Sequence, residues 1–366
     1  MPRITAAGDL FQMSIVSRSL ALSLLFAWLL PANAQTAAPD PLFQSDTPLN
    51  ITFEAPFDQI DRARDKEAEY DGIMRYVEAD GTEVVLDVGL EVRGNWRLRK
   101  ENCNYSQLWV DLKRGQTPNT LFAEQNRLKL VVQCRGSDRY RDFLAKEQQL
   151  YKVFSNLSDI HFGTRLVNAT YIDSEDPDSS RTHLAFFIEH QRRLKDRFGM
   201  DDVELNNIPY QELDPTQSIL VGLFMFQIAN TDFSIIRAAE GDECCHNAKL
   251  LVDESGRYYP IPYDFDSSGF VDASYAAPPG PTIGVRNNRT RKYRGFCYDS
   301  ESLDAAVERI SAERENTFAI ISDTSHISDR TAGRSTRYME DFYEVLENPR
   351  QFQRKIIDDC RGEIAR

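Results

Sequence analysis

Beyond residue 34 the chain has no stretch approaching the ~20 consecutive apolar residues that a bilayer-spanning helix needs, so no stable membrane insertion is expected of it. Basic charge is in deficit too: 43 Lys and Arg stand against 57 Asp and Glu, a net charge of -14. Such a field repels phosphate backbones and anionic lipid surfaces, which argues against nucleic acid as a partner. There is no G-x-S-x-G, and five scattered histidines mark no catalytic base, so serine-hydrolase chemistry has no support. A glycine-rich G-x-G-x-x-G phosphate loop is missing, as is any internal repeat. Among 57 acidic residues a glycosidase carboxylate pair can be imagined anywhere, so that idea carries no information.

What is present begins with Arg18, the apolar run "SLALSLLFAWLL" and "PANAQ", the n-region, h-region and small-residue exit of a secretory signal. The expected signal peptide is residues 1–34, with cleavage after Ala34, and Met13 is a candidate alternative start. The expected location is secreted or periplasmic. Residues 35–48, "QTAAPDPLFQSDTP", are polar and proline-punctuated and read as a flexible leader. Six cysteines in an exported chain read as disulfides, but sequence does not choose the pairing. Cys244 and Cys245 are neighbours, a poor geometry for bonding one another, so each is expected to find a distant partner. A zinc site at "CCHN" lacks ligand spacing.

Alternation in "LNITFEAP", "TEVVLDVGLEVRGN", "SQLWVDLK" and "NRLKLVVQC" predicts strands, followed by a helix in "RDFLAKEQQLYKVFSNL" and strands in "TRLVNATYID" and "RTHLAFFIEH". "DPTQSILVGLFMFQIANTD" opens with a helix start signal and runs apolar on most sides, which predicts a buried helix. Short strands "AKLLVD" and "YYPIPYDF" come next, then a Gly/Pro-rich stretch and two C-terminal helical segments. The pattern predicts an α+β, two-lobed architecture: a β-rich N-lobe with one helix over residues 49–190, and a helical C-lobe with catalytic and metal-binding loops over 191–366.

Three pieces stand close together: "IANTDF", "CCHNAKLL" and "PYDFD". Phosphoryl transfer from ATP needs an aspartate at the attacking hydroxyl, plus an Asn and an Asp that hold magnesium against the phosphates. Asp232, Asn247 and Asp264 supply those types in that order. The blocks "EVRGNWRLRK", "NRLKLVVQC", "RYRDFLAKEQQLYKVF", "LAFFIEHQ", "IANTDF", "HNAKLL" and "PIPYDFD" resemble the spore coat protein H (CotH) kinase-like family across residues 90 to about 275. That resemblance implies an atypical protein-kinase-like fold and a secreted enzyme that moves the ATP γ-phosphate to a protein hydroxyl with Mg²⁺ or Mn²⁺.

Carried over, it implies Asp232 as the catalytic residue, Asn247 and Asp264 as metal ligands with Asp266 as a second Asp ligand, and Lys129 paired with Glu147 gripping phosphate. Arg93, in "RGN", would form a short cationic turn over the phosphates, and Glu189 with His190 would sit at a hinge facing adenine. Plainer readings stand beside these: a strand lysine facing water, a glutamate on a helix surface, a structural β-turn. Fifteen residues separate Asp232 from Asn247, so the segment between must bulge out and return if Asn247 is to reach the metal. Asp264, Asp266, Ser268, Gly269 and Asp272 fall at EF-hand positions, but Tyr275 stands where the bidentate glutamate belongs. Arg286, Arg289, Arg291 and Lys292 form a basic loop suited to an acidic substrate or simply to solvent. Two other functions compete: a catalytically inactive secreted binding or scaffold protein, since ATP is scarce outside the cytoplasm, and a nucleotidyl transferase with similar metal ligands.

Overall fold

The alternation along the strands settles the architecture, because each strand of the β-rich part has one face that must be buried. In the computed structural model, which describes residues 38–113, 115–239 and 242–362, those faces turn inward around a closed barrel. The expected signal peptide lies outside the described residues. In chain order the elements are β1 (Leu49–Ala55), α1 (Phe57–Ala63), β2 (Glu69–Val77), β3 (Glu83–Arg93), β4 (Gln107–Leu112), β5 (Arg127–Val132), α2 (Asp138–Leu157), β6 (Thr164–Asp173), β7 (Ser180–Ile188) and α3 (Gln191–Phe198). Then come β8 (Asp201–Asp202), α4 (Pro215–Gln227), β9 (Ala248–Val252), β10 (Tyr258–Pro262), α5 (Ser300–Ala312), α6 (Arg314–Ser322), α7 (Asp329–Glu347) and the short α8 (Pro349–Phe352).

The barrel order is β1-β2-β3-β4-β5-β7-β6. It closes through one parallel pairing, Leu49 to Ala55 beside Val167 to Asp173, while its other neighbours are antiparallel. Closure leaves no strand edge unpaired. Phe53, Leu90, Val110, Leu128, Leu130, Ala169 and Phe187 fill the interior. The strand period of two sends the intervening residues outward.

The outward faces of β5 and β7 are the reason the expected two-lobed kinase-like fold does not form. Val131, Leu184, Phe186 and Ile188 point away from the barrel interior and join the same apolar cluster as Phe154 of α2 and Phe224 of α4. The helices therefore pack straight onto the barrel wall, and the described residues make one compact unit with no division near residue 190. The chain is a closed, mixed seven-stranded barrel with helices and a small β10-β9-β8 sheet.

Leader residues 38–48 are engaged with the barrel: Leu42 is fully buried, and the Asp40 carboxylate accepts from Arg193 and Gln125. The C-terminal part holds three helices of nine residues or more, against the two expected.

All three disulfides lie within the described chain: Cys103–Cys134, Cys244–Cys245 and Cys297–Cys360. The middle one corrects the expectation of distant partners, since Cys244 and Cys245 bond each other with Cα atoms 3.0 Å apart. Among the described residues no helix is long and apolar enough to cross a membrane.

Candidate functional site

A cavity of about 830 Å³ opens against the outer wall of β3, β4 and β5. Inward Leu128 and Leu130 lock β5 into the barrel, so Lys129 between them must project into this cavity. Its cross-strand partner Trp109 lies alongside, with the Lys129 ammonium 5.5 Å from the indole ring and 4.4 Å from the Tyr263 ring. Burial pulls the Lys129 ammonium down to about 7, and the charges of Arg93 and Lys249 push the same way. Arg93 ends β3 with its guanidinium 5.7 Å from the Trp109 ring. Gly94 follows at φ 88°, the left-handed conformation that lets the chain turn sharply along the cavity rim.

The opposite wall is acidic. Glu147 sits mid-α2 with its side chain 1% exposed, a position that a carboxylate holds only with a partner. That partner is Arg97, not Lys129. The Arg97 guanidinium lies 3.0 Å from Glu147, 3.4 Å from Asp264 and 2.6 Å from Asp266. One cation thus faces three carboxylates. Burial raises the Glu147 and Asp266 carboxyls, and the Arg97 charge opposes the rise. Arg97 itself stays charged, since those acids more than offset its desolvation.

Asp264 leaves β10 at φ 63°, and Asn247 enters β9 at φ 50°. Strained left-handed backbone at residues other than glycine persists only where the surroundings hold it, which makes these two positions candidates for function. The hold on Asp264 is visible: its N–H donates to the Tyr151 hydroxyl at 2.9 Å, and Phe265 packs against Tyr151 and Phe224.

Asp232 follows α4. The segment between Asp232 and Asn247 does loop out and return, through an antiparallel bridge between Ser234 and His246. The Asn247 amide donates to the Asp232 carbonyl at 2.6 Å and to its carboxylate at 3.2 Å. His246 Nε2 lies 2.8 Å from Asp232 Oδ1. That bond chiefly holds the Asp232 carboxyl below the usual range and raises His246, against partial burial.

The structure therefore brings Asp232, Asn247, Asp264, Asp266, Lys129, Glu147 and Arg93 to one cavity. Glu189 is elsewhere: it is buried against Arg197 at 3.1 Å, accepts the Gly163 N–H, and is raised to about 6 by burial. His190 caps α3 and rests near Trp109. The basic loop is largely occupied, with Arg289 on Asp272, Lys292 on Asp359, and Arg291 on the Gln227 and Tyr338 carbonyls. The EF-hand pattern disperses, Asp264 and Asp266 going to Arg97 and Asp272 to Arg289.

Sequence reasoning passed over Arg97, Lys249 and the Trp109 platform as site residues. Arg97 was within reach, since it lies in the basic strip directly after "RGN". A separate cavity of about 580 Å³ beside α4 and α5 offers no such meeting of groups: its Asp214 caps α4 and its Arg309 bonds the Asn156 carbonyl.

Among the described residues, no group of three or more His, Cys, Asp or Glu side chains is arranged to hold a metal by itself. No family model, curated protein or solved structure matches the chain.

Proposed function

We propose that the chain is an exported phosphotransferase of the CotH kinase-like kind, transferring the γ-phosphate of ATP to a protein hydroxyl. The observation that carries this reading is the division of one cavity between cations that lack a carboxylate ion pair among the described residues, Lys129 and Arg93, and carboxylates with an amide, Asp264, Asp266 and Asn247. A phosphate chain with its metal has that pattern of charge. The block order of the sequence supports the same assignment.

The donor set fits Mg²⁺ or Mn²⁺ arriving with the nucleotide rather than a resident ion. Magnesium at phosphate sites takes one or two carboxylates and completes its shell with phosphate oxygens and water. Asp264, Asp266 and the Asn247 side-chain oxygen would supply the protein's share. The metal would offset charge on the transferring phosphoryl group.

Lys129, Arg93 and Lys249 bind phosphate oxygens in this scheme, and the aromatic rings beside Lys129 keep water from its ammonium. Asp232 takes the acceptor's proton as the acceptor oxygen bonds the γ-phosphorus and the bond to ADP breaks. His246 and Asn247 hold the Asp232 carboxylate ionised and aimed. Three disulfides and the signal-like N-terminus support an oxidising compartment outside the cytoplasm.

Arg97 favours a second reading, because its guanidinium already engages both Asp264 and Asp266. A protein that binds nucleotide without transferring phosphate would need no more than that. Incubation of the mature protein with γ-labelled ATP and Mn²⁺ separates the two. Phosphotransfer predicts label on protein, reduced roughly 10²- to 10⁴-fold in Asp232→Asn, in line with the loss of a general base, and abolished in Asp264→Asn. Unlabelled protein whose melting temperature still rises with ATP would favour the second reading.

A further inference from the structure

A second cavity, of about 680 Å³, shares Asp232, Ala238, Ala239, His246, Ser267 and Ala277 with the first. Both cavities are lined by Asp232 and His246, while Lys129, Arg93 and Lys249 line only the first. Its charge is unlike that of the chain as a whole. Arg237, Arg294 and Arg361 line it, and among the described residues its one carboxylate is Asp232, which is already engaged by His246 and Asn247.

None of the three arginines makes an ion pair among the described residues. Arg237 is exposed, and among the described residues its guanidinium makes no hydrogen bond. Arg294 donates only to the Thr231 and Phe233 carbonyls, the two that flank Asp232. Arg361 lies over the Phe296 ring at 4.4 Å, and its Nε and Nη2 are buried without a hydrogen-bond partner among the described residues. Burial and the nearby Arg294 charge together bring Arg361 down to about 10. Two guanidiniums that repel each other in a half-dry cavity are stabilised by an anion.

We propose that this second cavity is the acceptor subsite, and that it takes an acidic peptide whose hydroxyl reaches Asp232 while a neighbouring carboxylate sits on the arginines. The inference rests on the phosphotransferase reading for the hydroxyl's role, but the anion site stands on the second cavity alone. It also explains how a chain of net charge -14 draws an acidic partner, which its overall field would repel. The basic loop foreseen from sequence is spent on internal contacts, and these arginines take its place.

The test compares two fluorescent peptides, one with a serine flanked by glutamates and one with glutamines in their place. Binding is read by anisotropy on the full mature protein. The acidic peptide should bind at least tenfold tighter than the glutamine peptide, and Arg237→Gln with Arg361→Gln should erase that advantage. Arg237→Glu, at an exposed position that does not threaten the fold, should weaken the acidic peptide alone. Equal binding of both peptides by the wild type, or an advantage that survives in a folded double variant, would overturn the proposal. Retained acidic preference with no label transfer from ATP would refute phosphotransfer while leaving the anion site in place. Transfer without any acidic preference would do the reverse.

Discussion

The cavity depends first on single side chains placed where they are electrostatically uncomfortable. Lys129 is the clearest case. Its folded-state value near 7 lies below an unfolded value of about 10.4. The unfolded chain therefore binds more protons between those limits, so the penalty is full below about pH 7 and fades as pH rises through the window. A phosphate placed beside the ammonium restores its proton. ATP binding near pH 8 should thus take up a proton, seen as a dependence of calorimetric heat on buffer ionisation enthalpy, and Lys129→Met should remove it; a buffer-independent heat in the wild type would contradict the role given to Lys129. Which residues meet in the cavity was partly legible: Asp232, Asn247 and Asp264 follow from residue type and order. The Lys129–Glu147 pair did not form, because chain spacing does not say which cation reaches a buried glutamate first. Arg97 does, from a turn 50 residues upstream.

Elements were easier to read than their assembly. β1, β3 to β7, α2, α4, β9 and β10 lie where alternation or helical period puts them, because each has one face that must be dry. β2 escaped notice, since "EYDGIMRYV" interrupts its pattern with charges and Gly72. Barrel closure was invisible for another reason: the parallel β1–β6 pairing joins segments more than a hundred residues apart, and no local signal records it. Two of the three disulfides are similarly non-local. Cys297–Cys360 spans 63 residues and ties the end of the C-terminal helices to the strand-like run carrying Phe296. Chain-entropy reasoning gives that link about 4 kcal/mol. A Cys297→Ser, Cys360→Ser variant should lose stability of that order in denaturant unfolding, and an unchanged midpoint would show that the helices hold this end without it.

Across the whole molecule, the outward faces of the barrel strands decide the arrangement. A hinge between two lobes would need polar surface where β5 and β7 present Val131 and Phe186, and those residues instead continue the helical core. The site therefore sits on a barrel wall, braced by α2 and by the turn after β10, with the carboxylates gathered around Arg97 and with Lys129 and Arg93 standing apart from them without an ion pair among the described residues. An acidic chain with cations gathered in two adjoining cavities is suited to anionic ligands there, a phosphate chain in one and an acidic acceptor in the other. The most direct test is the paramagnetic resonance of Mn²⁺ titrated into the wild type and Asp264→Asn, each with and without ATP. The account predicts tight Mn²⁺ binding only when ATP is present, and only in the wild type. Equal Mn²⁺ binding with and without ATP, or binding untouched by the substitution, would contradict it.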